Sequence, residues 1–101
     1  MSTFSPDDLT RCRVVIDELD RRLIALLNER TAVVEEIGRI KQELNLGVYE
    51  PKREDQVLAN VLAHNNGPLS PDAVKRIFER IMDEMRTLQK FRLASNHRDS
   101  H

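Results

Sequence analysis

Stepping along the chain by alternating threes and fours from Leu9 gives Leu9, Cys12, Ile16, Leu19, Leu23, Leu26, Arg30, Val33, Ile37, Ile40 and Leu44. Only Arg30 breaks the apolar run. No proline falls within it, and Gly38 is its one weak helix former, at a cost of ~1 kcal/mol against alanine. This is the pattern of a coiled-coil-like heptad seam on one long helix. A helix over roughly residues 6–44 spans ~57 Å at 1.5 Å per residue. A compact globule of about 100 residues has a radius of gyration of only ~13 Å, hence a diameter of roughly 34 Å. The remaining residues cannot cover such a rod, so the seam calls for a second long helix. The expected architecture is all-α, with three helices per chain, one of them very long, in an intertwined homodimer whose first helices pair across the symmetry axis.

The helix boundaries are written in the turn residues. Ser5-Pro6-Asp7-Asp8 supplies a cap, a proline suited to the first helical position and two acids for the positive helix end. A second helix starts at Pro51, with Val57, Leu58, Val61 and Leu62 on its apolar face. "HNNGP" (64–68) ends it, with Asn66 and Gly67 as C-terminal cap candidates. Ser70-Pro71-Asp72 repeats the first start signal, and Val74, Ile77, Phe78, Ile81, Met82, Met85 and Leu88 form the third apolar stripe. The chain reads as a single domain over 1–101, with an ordered core of about 6–92 and a polar tail over 93–101.

Composition removes several classes of function. The chain has 101 residues and a formal net charge of −1, unlike a general nucleic-acid binder. Aromatic residues make up 4% of it, too few for base-stacking platforms. A lone cysteine, Cys12, supports neither a disulfide framework nor a cysteine zinc site within one chain, and is expected to be a small packed residue. No apolar run approaches the ~20 residues of a membrane span. The N-terminus "MSTFSPDD" does not read as a signal peptide, so the expected location is the cytoplasm. The three histidines, His64, His97 and His101, are not spaced as metal ligands, and no phosphate loop or nucleophile elbow is present.

The charged residues that depart from the helical pattern carry the functional signal. Arg30 has three readings: a register-setting polar residue, a structural ion pair with Glu29 or with an acid of a partner, or a cation on the wall of a pocket. Lys41 lies eleven residues further on, three turns plus ~20°, and so on the same helix face. Arg13 faces another way and would serve the same site only from a neighbouring chain; by itself it reads as a solvated arginine. In "VYEPKRED" (48–55), Lys52 and Arg53 occupy a first helical turn, where cations oppose the dipole, and Glu50 and Glu54 offset them. The stretch is either an ordinary charged helix start or a site using both signs. Gln89, on the edge of the third apolar stripe, is either half-exposed or a neutral amide aimed into a pocket.

Taken in order, "RVVIDELDRRLIALLNER", "EIGRIK", "VYEPKRED" and "IFERIMDEMRTLQ" resemble the all-helical (AroQ-type) chorismate mutase family over about residues 9–92. The resemblance implies a dimer of three-helix protomers and a pericyclic rearrangement of the dianion chorismate to prephenate, in phenylalanine and tyrosine biosynthesis, with no cofactor and no metal. It implies that Arg13 reaches into the partner's site, that Arg30 grips a carboxylate, and that Lys41 reaches both a carboxylate and the ether oxygen. Glu50 and Glu54 would bind the ring hydroxyl, Arg53 would line the site, and Gln89 would donate to the ether oxygen. Two departures stand out. Glu50 replaces an aspartate of some members. Met85 replaces a serine that in some members contacts a carboxylate, a contact methionine cannot make. The resemblance also extends to an isochorismate pyruvate-lyase of the same fold, and to mutases that work with an aromatic-pathway partner enzyme. A non-catalytic helical dimerisation module would explain the heptads, but gives no role to Arg30, Lys41 or Gln89.

Overall fold

The computed structural model describes residues 2–99, with side chains through Ala94. Three helices make up the fold: α1 (Pro6–Glu43), α2 (Pro51–Ala63) and α3 (Pro71–Asp99). No strand occurs among the described residues, in keeping with the all-α expectation.

Each helix begins on a proline, where the missing N–H would have had no helical partner. Before α1, the Ser5 N–H and hydroxyl both donate to Asp8 Oδ2, at 2.7 and 3.3 Å. Asp8 thus plays the reaching-back part of a capping box, and it also pairs with Arg11. Before α3, Ser70 Oγ accepts the Ala73 N–H at 3.1 Å. Glu50 precedes α2 at the cap position without capping it; its carboxylate is engaged elsewhere, as described below.

The end of α1 is a Schellman turn. The Leu46 N–H donates to Lys41 O at 2.7 Å and the Asn45 N–H to Gln42 O at 3.2 Å, with Asn45 in the left-handed region at φ 57°. This turn reverses the chain so that residues 46–50 come back to the last turn of α1. The end of α2 departs from expectation. Its C-cap is His64, whose Nδ1 lies 2.8 Å from Asn60 O, so Asn66 and Gly67 fall beyond the cap. The loop is organised instead by Asn65. Its amide donates to Leu69 O at 2.9 Å and its side-chain oxygen accepts the Gly67 N–H at 3.0 Å. Helix α3 also runs past the expected end of the ordered core at residue 92, to Asp99. Arg92, paired with Glu35, and the half-buried Leu93 carry it beyond that point. The last two residues of the expected tail lie outside the described residues.

The chain divides into two units, Met1–Val33 and Val34–His101. In the first, the seam is laid out on α1 without a cover of its own: Leu9, Leu23 and Leu26 are 52%, 55% and 62% exposed. Cys12 is exposed as well, contrary to its expected packing; this unit is helix alone and offers nothing to bury it. The second unit holds the last turns of α1 with α2 and α3. Its core centres on Val74 and Met82, with Val57, Leu58, Val61, Leu62, Phe78 and Ile81 half-buried around them. No described side chain is fully buried. A core this thin leaves little margin for a chain of this size.

Candidate active site

The site is built from the second unit. Lys41 lies in the last turn of α1, and its side chain is only 11% exposed. An ammonium withdrawn from water needs a counter-charge and hydrogen-bond acceptors. Both come from the reversed chain: Glu50 Oε1 lies 2.5 Å from Nζ, and Nζ donates to Val48 O at 3.1 Å. A lysine ammonium has three N–H donors, so one remains for a ligand. Gln89 on α3 uses Nε2 to donate to Val34 O at 3.2 Å. That bond fixes the carboxamide while leaving its second N–H available.

Lys41 and Gln89 line one cleft of about 180 Å³, together with Glu35, Gly38, Arg39, Gln42, Leu46, Val48, Leu88, Arg92 and Leu93. The lining carries three cations and one carboxylate. Arg92 pairs with Glu35 at 2.8 Å, and Arg39 pairs with Glu36, an interaction that raises the arginine's pKa. Lys41 is the least exposed of these cations, so its charge is the least screened by water. Each of the three cations has a carboxylate partner, so what the largely apolar cleft offers a small ligand is the spare N–H of a shielded ammonium and that of a neutral amide.

A second charged group lies on the α2 side. Glu54 Oε2 is 2.7 Å from Arg86 Nε, and Arg86 also reaches Asp83 at 3.4 Å and stands 5.7 Å from the Tyr49 ring centroid. Arg53, in contrast, is exposed and makes only a 3.5 Å hydrogen bond to Gln56 within its own helix. Met85 is half-buried on α3. Arg13, exposed, and Arg30, half-buried, belong to the first unit. The second unit therefore brings Lys41, Glu50 and Gln89 together, and holds Glu54 on Arg86.

Arg86, Arg92 and Glu35 were not among the sequence candidates. For Arg86 a signal existed. Val74, Phe78 and Met82 recur every fourth residue on α3, and Arg86 takes the next place in that row. It breaks an apolar pattern just as Arg30 breaks the seam. Arg92 and Glu35 form a pair between separate helices, with no local spacing to reveal it.

Among the described residues no group of three or more histidine, cysteine, aspartate or glutamate side chains could hold a metal ion. No described helix is long and apolar enough to cross a membrane. The fold and the cleft define a class: an all-helical protein whose cleft is lined by both an ammonium and a carboxamide. The family follows from comparison with known proteins. Residues 12–90 match the model of chorismate mutase type II, and the chain belongs to that family.

The bifunctional chorismate mutase/prephenate dehydratase of Pseudomonas aeruginosa is 36% identical over 83% of this chain, which spans only 24% of that relative's length. The chorismate mutase of Methanocaldococcus jannaschii is 26% identical, with 83% of this chain and 86% of that protein covered. Among solved structures, chorismate mutase form II from Thermus thermophilus superposes with a TM-score of 0.81 and 35% identity, over 82% of this chain and 94% of that one.

Proposed function

We propose that this chain is a chorismate mutase, converting chorismate to prephenate by a pericyclic shift. The observation that carries the reading is the presence of Lys41 and Gln89 on the lining of one cleft, an ammonium and an immobilised amide. The reaction needs no nucleophile and no proton transfer. It needs the dianion held in its compact reactive conformer, and charge developing on the breaking ether oxygen stabilised. Lys41 and Gln89 supply two fixed donors for that oxygen. Arg30 grips one carboxylate, its planar fork suited to two parallel hydrogen bonds. Glu50 and Glu54 accept the ring hydroxyl, and Arg53 lines the site.

The functional assembly is a homodimer. The exposed seam of α1 is the surface that a second copy covers, and that copy brings its Arg13 into the site. The relatives that join mutase and dehydratase activities in one name support a further reading, a mutase that works with an aromatic-pathway partner enzyme. Incubating the purified protein with chorismate and, separately, with isochorismate tests the assignment. Prephenate formation from chorismate is the expected result. Preferential pyruvate release from isochorismate would make it a lyase, and inertness toward both would make it a dimerisation module.

A further inference from the structure

Arg86 has a geometry that the proposed reaction does not use. It sits on α3 in line with the buried Met82, and its Nε is wholly shielded from solvent. That nitrogen lies 2.7 Å from Glu54 Oε2 with its N–H not aimed squarely at the oxygen, so the contact is an ion pair without a well-formed hydrogen bond. Glu54 is itself only 24% exposed. The same guanidinium stands over Tyr49, the residue before Glu50, within the range of a cation–π contact. One side chain of α3 therefore touches both ends of the stretch that carries the two glutamates.

We propose that Arg86 is a positioning residue that fixes the Glu54 carboxylate as a hydrogen-bond acceptor for the substrate's ring hydroxyl, and so sets selectivity for a hydroxylated ring. The inference rests on the mutase reading. Arg86 holds Oε2, which leaves Oε1 to accept the hydroxyl proton. An ionised carboxylate accepts only, so the site favours a ligand that donates at this point. Without Arg86 the glutamate side chain is free to turn away, and the carboxylate loses the partner that orients it. The hydroxyl takes no part in the bond changes, so its contact acts alike on bound substrate and transition state. Its loss raises KM and leaves kcat nearly unchanged.

The test compares the unaltered protein with Arg86→Ala, Arg86→Lys and Glu54→Gln on chorismate and on an analogue carrying hydrogen in place of the ring hydroxyl. Arg86→Ala is expected to raise KM for chorismate about tenfold, the size of a charge-assisted hydrogen bond, with kcat within about threefold. Arg86→Lys recovers most of that loss. Neither Arg86→Ala nor Glu54→Gln changes KM for the analogue. Equal losses on both substrates would show a merely structural arginine and overturn the proposal, as would a KM unaffected by Arg86→Ala. An unaltered protein inert toward chorismate would remove the mutase reading and this role with it. Activity with insensitive variants would remove the role alone.

Discussion

Lys41 separates catalysis from folding, because removing its charge is predicted to cost activity and almost no stability. Lys41→Met keeps most of the stem and deletes the ammonium. The fold loses an ion pair to Glu50, whose side chain is 48% exposed; a pair so open to solvent contributes about 1 kcal/mol at most. It also loses the hydrogen bond to Val48 O, worth about 1 kcal/mol. Val48 is half-exposed, so water can replace the donor. Against these stands relief from holding an ammonium at 11% exposure, a penalty of several kcal/mol before compensation. The losses sum to about 2 kcal/mol at most and the relief offsets at least half of them, so any net destabilisation is about 1 kcal/mol or less. With an unfolding entropy of ~2.1 cal/mol/K per residue, that is a shift in Tm of about 5 °C or less.

Glu50→Leu makes the contrast, since it leaves the ammonium without its counter-charge. Breaking a fully buried pair from one side costs about 3–5 kcal/mol; the half-exposed Glu50 reduces this to about 2 kcal/mol, or roughly 10 °C. For turnover, deleting a donor aimed at a developing oxyanion costs about 10²–10³ in kcat. Thermal unfolding at one fixed protein concentration, alongside chorismate turnover, reads both quantities. A Lys41→Met protein destabilised by more than about 3 kcal/mol would make Lys41 a structural residue. A stable variant losing less than tenfold in kcat would mean that Lys41 does not meet the ether oxygen.

Gly38→Ala should raise stability by up to about 1 kcal/mol, because the new Cβ would stand 3.7 Å from Gln89 Cγ and 3.8 Å from its Nε2, ordinary contact distances; a denaturant melt checks the gain, and an unchanged kcat checks that Gln89 has not moved. Ser70→Ala removes the acceptor of the Ala73 N–H and should cost about 1 kcal/mol in the same melt. Asn45 holds φ 57°, so Asn45→Gly should be neutral or stabilising while Asn45→Ala costs about 1 kcal/mol, from the left-handed strain on a Cβ. Leu23→Glu places a charge in the exposed seam and, on the proposed assembly, should convert dimer to monomer with loss of turnover, in sedimentation run beside the assay.

Most of the fold was legible because its signals are local. A proline opening each helix, Ser5 and Ser70 before two of them, and the stripes of α1 and α3 all act within a few residues of where they are read. The misreadings were at the other ends. Asn65, rather than Asn66 or Gly67, organises the loop after α2, because the choice between adjacent turn residues depends on where Leu69 O arrives. The Arg92–Glu35 pair was not legible either, because its members stand more than fifty residues apart in the chain. Cys12 was expected inside and stands exposed, because an apolar stripe specifies a face and not what covers it.

The site was legible only in halves, and the reason is the same one. Arg30 and Arg86 are each visible as a charge where a repeating pattern calls for an apolar side chain, and Lys41 as a cation eleven residues from Arg30 on the same helix face. That Glu50 meets Lys41 and Glu54 meets Arg86 is not visible, because chain reversals that no periodicity describes bring them together. Glu50 does leave one trace. Pro51 marks it as the residue before a helix, a position where serine, threonine, asparagine or aspartate would cap. Glutamate there leaves α2 without a side-chain cap and is instead 2.5 Å from Lys41. The helix forgoes about 1 kcal/mol of capping so that a carboxylate can stand beside the ammonium. A poor cap ahead of a strong start signal is therefore itself a clue: local stability has been yielded at the point where the chain must supply a counter-charge to Lys41.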